Sequence, residues 1–154
     1  MQIDLLRKYV SQKLIVNQLQ LSIMHTGMID QGINVNMNVS GSFDRDGSIL
    51  DYCRLNDITV QPWSPFQYGF FEGVFLNNDK FPELNAKIDE LAQAKGVTNT
   101  AIAIAWLLRH PAKMQPIVGT TSASRLKDIS KASGIELTRP EWYELYRAAG
   151  NKLP

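Results

Sequence analysis

PIVGTTSASRLKDI, residues 116–129, passes from an apolar run through a turn of small residues into a segment of helical composition. A buried strand that turns directly into a helix is half of a βα unit, and chains that repeat this unit form parallel sheets. The first turn of such a helix presents N–H groups with no intrahelical partner at the positive end of the helix dipole, which suits an anion. Either Ser122 or Ser124 can instead cap the helix while Arg125 sits in solvent. The stretch alone leaves both readings open.

Working outward, the same alternation recurs. Residues 13–21, KLIVNQLQL, read as a strand with Leu14, Val16, Gln18 and Gln20 on one side and Ile15, Asn17, Leu19 and Leu21 on the other. Residues 58–66, ITVQPWSPF, read as a second strand, limited by Pro62 and closed by Pro65. The third is MQPIVGT, residues 114–120. Helices are expected over residues 3–10, from Ser48 onward, from Pro82 to Lys95 with Gly96 as its terminator, after Thr98 or Asn99 until Pro111, from the opening stretch to Gly134, and from Thr138 with Glu141 as a capping box. Residues 22–47, rich in Asn, Gly, Ser and Met, read as a long loop. The order implies about three parallel strands joined by right-handed crossovers with flanking helices. Such a sheet has two bare edges.

Composition narrows the classes. With 154 residues, 44% hydrophobic and 20% charged, and a net charge of +1, the chain reads as one soluble globular unit spanning 1–154. The sixteen basic residues are scattered, which argues against a nucleic-acid face, and the apolar run AIAIAWLL is too short to span a membrane. Cys53 is the sole cysteine, so no internal disulfide forms, and a reducing, cytoplasmic setting is expected. His25 and His110 are far apart with no carboxylate pair at ligand spacing, so no metal site is expected. Neither histidine, nor Cys53, has a partner spaced for catalysis.

The succession VNQLQLS, YCRLNDITVQPWSPF, AIAIAWLLRHP, PIVGTTSASRLKD and LTRPEWYELY resembles the C-terminal half of the aldo/keto reductases, NADPH-dependent carbonyl reductases built on a (β/α)8, or TIM, barrel. The likeness runs from about Leu5 to Pro154, and is greatest to bacterial oxidoreductases of roughly twice this length. It implies an α/β fold forming part of such a barrel, with NADP as the cofactor. By the resemblance, Gln18 matches the residue that bonds the nicotinamide carboxamide. Trp63 matches the ring that stacks on the nicotinamide, and Ser64 the serine at the pyrophosphate. Gly119, Thr120, Thr121, Ser124 and Arg125 match the group that holds the 2′-phosphate, and Asp128 falls near a contact to the adenine. The aromatic loop QYGFFEGVFLNNDK, which presents four aromatics, matches a segment that folds over the pyrophosphate.

The resemblance also implies an absence. The family's catalytic Tyr, Lys, Asp and His come from its N-terminal half, and none has a counterpart here. The isolated chain is therefore expected to lack hydride-transfer activity, with no catalytic residue of its own. The alternative is a non-catalytic NADP-binding or structural module. Bare sheet edges favour a homodimer, or pairing with a missing N-terminal half. A small carbonyl substrate is implied only for the complete enzyme.

Overall fold

The computed structural model describes residues 2–34, 37, 39–40, 48–69 and 72–154. The elements are α1 (Gln2–Arg7), β1 (Val16–Gln20), α2 (Gly27–Ile33), α3 (Ile49–Leu55), β2 (Thr59–Trp63), α4 (Pro82–Lys95), α5 (Asn99–Leu108), α6 (Ala123–Ser130), a 3-10 turn over Lys131–Gly134, and α7 (Arg139–Ala148).

β1 and β2 pair in parallel, with Gln18 opposite Gln61 and Gln20 opposite Trp63. The expected third strand is not completed, and the reason is chemical. Gln115 N–H donates to the Val60 carbonyl at 3.0 Å and Ile117 N–H to the Pro62 carbonyl at 2.8 Å, so residues 115–117 lie alongside β2. A regular ladder would next require an N–H at position 62, and proline has none. The three-stranded expectation therefore reduces to two strands and a half-bonded third segment. Pro116 alternates with Gln115 and Ile117, so it turns its donor-less nitrogen to the open side.

Helices cover one face. α5 is enclosed on all sides, with Ala101 to Leu107 buried without a break. It is started by Thr98, whose hydroxyl accepts from Ala101 N–H. α4, α6 and the 3-10 turn pack around it. α7 joins through Trp142, stacked on Trp106 with ring centroids 4.6 Å apart and an interplanar angle of 7°. Each indole N–H donates to the other tryptophan's carbonyl, at 3.1 and 3.0 Å. Two buried N–H groups are thereby satisfied without a polar side chain in the core.

The terminators behave as their residue types dictate. Gly96 closes α4 in the left-handed conformation at φ +64°, and Thr138 with Glu141 forms the reciprocal capping box of α7. Two expectations need correction. The N-terminal helix stops at Arg7, and the segment expected to be loop contains α2. Its two glycines and uncapped start hide this helix from a local reading. Tertiary contacts hold it: Ile29 is buried, the Tyr146 hydroxyl donates to Asp30, and the Thr26 hydroxyl bonds Asn151 at 3.1 Å.

Candidate functional site at the strand ends

In a parallel sheet all strands finish at the same end, and the loops there converge. The register brings Gln20, Trp63 and the residues after Ile117 to one rim. Gln18 and Trp63 fall on the same face of the sheet, on adjacent strands and two register positions apart. Val60 and Pro62 occupy the opposite, buried face. Gln18 is exposed and donates to Gln61 at 3.0 Å; Gln61 in turn donates to Gln115 at 2.7 Å. The three amides form a chain across β1, β2 and the third segment. Gln61 and Gln115 were not singled out in the sequence, although their period-2 spacing from Trp63 and Ile117 marks them for the same face.

Ser64 follows Trp63 at φ +51°, a left-handed position that turns the chain sharply off β2. Its carbonyl accepts from Gln67 N–H at 3.0 Å, starting the aromatic loop. That loop is tied back to the rim. Gln20 donates to the Gly69 carbonyl at 3.2 Å and Ser22 to the Gln67 carbonyl at 2.6 Å. Gly73 has φ +127°, and a Cβ there would come within 3.2 Å of the Tyr68 ring. Of the four aromatics expected to be presented, Phe70 and Phe71 lie outside the described residues. Phe75 is instead fully buried, and half-buried Tyr68 packs on Phe81 with centroids 4.9 Å apart. Phe75 is core and Tyr68 packs against that core because the loop folds back on α4 rather than outward.

The turn into α6 resolves the question raised by residues 116–129. Ser122 is the cap, accepting from Arg125 N–H, and Ser124 sits 2.9 Å from it, hydroxyl to hydroxyl. Thr120 accepts from Ser122 N–H at 3.2 Å. Gly119, Thr121, Ser124 and Arg125 are exposed, and a Cβ on Gly119 would meet nothing within 4 Å. The Arg125 side chain has no partner among the described residues, whereas Asp128 pairs with Lys131 at 2.9 Å. Hydroxyls, first-turn N–H groups and an unpaired guanidinium thus share one exposed turn, a donor set suited to a phosphate.

Cys53 stands apart from this rim, whereas His25 lies in the turn just after β1, beside the Ser22 that ties the aromatic loop back. His25 is exposed and bridges to Ser22 through backbone bonds; Cys53 is buried in α3, with the Asn17 amide 3.6 Å from its sulfur. No group of three or more metal-ligating side chains occurs among the described residues, and no helix among them is long and apolar enough to cross a membrane.

Comparisons with known proteins identify the family and the fold. The family model for the aldo/keto reductase family matches residues 13–149. The 6-dehydroglucose reductase of Agrobacterium fabrum is 30% identical over 150 residues, which is 97% of this chain and 43% of that protein. An NADP(+) aldo-keto reductase of Schizosaccharomyces pombe is 27% identical over 123 residues, covering 67% of this chain and 36% of that protein. Among solved structures, a thermostable aldo-keto reductase in complex with the inhibitor epalrestat superimposes with a TM-score of 0.65 at 21% identity, over 95% of this chain and 44% of that one. The aldose reductase of Giardia lamblia gives 0.64 at 20% identity, over 99% and 42% respectively. The chain therefore spans less than half the length of these relatives, and its fold is part of their barrel. By the match over residues 13–149, the chain belongs to the aldo/keto reductase family.

Proposed function

We propose that this chain is the cofactor-binding half of an NADP-dependent carbonyl reductase, which by itself holds the phosphorylated dinucleotide without reducing a substrate. The observation that supports the reading is the placement at one rim: Trp63, Ser64 and the turn of residues 119–125 lie at the ends of adjacent parallel segments, Gln18 lies on the face of Trp63 two register positions back on β1, and the Arg125 guanidinium has no partner among the described residues. Arg125, Ser124, Thr121 and Thr120 would hold the 2′-phosphate, with Gly119 leaving room for its approach. Trp63 would lie against the nicotinamide, Gln18 would bond its carboxamide and Ser64 would face the pyrophosphate. Asp128 would serve the adenine only by leaving Lys131. The bound cofactor supplies hydride for reduction of a carbonyl; the residues here bind and orient it and hold no proton for the reaction.

The single folding unit, 1–154, is suited to the cytoplasm, where NADPH is kept reduced and Cys53 stays a thiol. The small carbonyl substrate belongs to the complete barrel. Titration with NADPH, followed by cofactor fluorescence, tests the reading. We expect saturable binding, and Arg125→Gln should weaken NADPH about 10-fold, corresponding to about 1.4 kcal/mol for a charge-assisted contact, while barely changing NADH. Absence of NADPH binding at millimolar concentration would refute the cofactor reading. NADPH-dependent reduction across an aldehyde panel would refute the inactivity.

A second reading is favoured by the sheet edges. Ile15, Val16 and Ile117 are 59%, 41% and 38% exposed at or beside unpaired backbone. Such edges support an assembly, either a homodimer or a pairing with the other half of the barrel.

A further inference from the structure

A cavity of about 580 Å³ lies among α2, α3, the end of α5 and the start of α7. It takes no residue from β1, β2 or residues 115–125, so it is separate from the rim and does not depend on the cofactor reading. Nor does it lie against the open edges: α1 and α6, which flank them in chain order, contribute nothing to its lining. Its size falls in the range of small-molecule sites.

The lining divides into two kinds of chemistry. Met28, Ile29, Ile33 and Leu50 supply an apolar wall, with the rings of Trp142 and Tyr143 beside it. Among the described residues the charged groups of the lining are Arg54, Arg109, Arg139 and Asp51, three guanidinium groups against one carboxylate. Arg54 meets Asp51 at 3.4 Å and is half exposed. Arg109 spends only its Nε, on the Leu137 carbonyl at 2.7 Å, and Arg139 lies over the Tyr143 ring at 5.7 Å. Neither has a carboxylate partner among the described residues. His110 accepts from Ala112 N–H through Nδ1 at 3.2 Å, so its Nε2 carries the proton and is a neutral donor.

We propose that this cavity is a second binding site, for a monoanion with an apolar body, of the medium-chain or aromatic carboxylate class. The two excess guanidinium groups select the negative charge and the planar fork matches a carboxylate; the aliphatic and ring wall takes the hydrocarbon. The arginines are exposed at the mouth, so a neutral ligand would gain from the apolar wall alone. A cation would be repelled.

The test uses the whole chain at pH 7.5 and isothermal titration calorimetry with decanoate, decan-1-ol and decyltrimethylammonium below their aggregation limits. Decanoate should bind one site at least about 10-fold more tightly than decan-1-ol, with no binding of the cation. Arg109→Gln with Arg139→Gln should bring decanoate to the level of the alcohol. Should that pair fail to fold by circular dichroism, Arg139→Gln alone, at an exposed residue with one ring contact, should weaken decanoate several-fold. Met28→Trp, which fills the cavity from a partly buried wall, should weaken both decanoate and decan-1-ol and leave NADPH titration unchanged. Equal affinity for acid and alcohol, decanoate binding untouched by these variants, or displacement of NADPH by decanoate would each overturn the proposal.

Discussion

His110 shows how a single position acquires a property that its residue type does not announce. Burial, together with the Arg54 guanidinium, pushes its pKa down to about 4, with Asp51 pulling weakly the other way. Trp142 faces it at 6.4 Å between ring centroids. The folded chain therefore binds a proton here less readily than the unfolded chain, whose histidine titrates near 6.5. Stability from the neutral ring is complete above that value and is lost as the pH falls from 6.5 towards 4. His110→Gln, which keeps an acceptor for Ala112 N–H, should flatten the fall in urea midpoint across that window. Because the ring is partly open to solvent, the difference should be about 1 kcal/mol. An unchanged pH profile would show that His110 titrates as if exposed. The sequence places this residue at a helix end before proline; its desolvation comes from α3 and α7, far away in the chain.

At the scale of elements, caps were legible and neighbours were not. Thr138 is read outright, and the structure selects Ser122 over Ser124 and Thr98 over Asn99 from the pairs that the sequence leaves open; each cap acts on an N–H group three residues on. The third segment failed as a strand for a reason that sits on its neighbour. Pro62 withholds the donor that the Gln115 carbonyl would take. Pro62→Val should complete the pairing, extend the assigned sheet to three strands, and protect the amides of residues 62, 115 and 117 from hydrogen exchange. The gain should be about 0.5–1.5 kcal/mol, less whatever the unfolded chain recovers on losing proline. Unchanged exchange at Gln115 and Ile117 would mean that the segment is fixed by the helices alone. The aromatic loop carries the same lesson in reverse, since Phe75 looks like a presented ring until α4 is packed over it.

For the molecule as a whole, the two unfinished edges outweigh other surface features. β1 exposes Val16 with Ile15 just before it, and the third segment exposes Ile117 and carries only Pro116 as a guard. The α1 side adds Leu5 and Leu6, at 56% and 47% exposure, on a helix that buries no residue. We expect light scattering after size exclusion to find a dimer or larger species, with slow amide exchange along β1. A monomer at micromolar concentration would show that the edges are protected without a partner.

What the sequence by itself determined was local and periodic: the two parallel strands β1 and β2 with helices between and after them, the two sides of β1, the capping box of Thr138 with Glu141 and the Gly96 terminator, and the motif residues 18, 63–64 and 119–125 that carry the family likeness. Those signals act within a few residues, or repeat with the period of one element, so they are readable without a partner in space. Tertiary structure alone decided that α2 is a helix, that residues 115–117 are only half bonded, that Asp128 is paired while Arg125 has no partner among the described residues, and that three arginines from α3, the end of α5 and α7 share one cavity. Each of these depends on groups far apart in the chain meeting across a buried space, where the loss of water decides which contacts form.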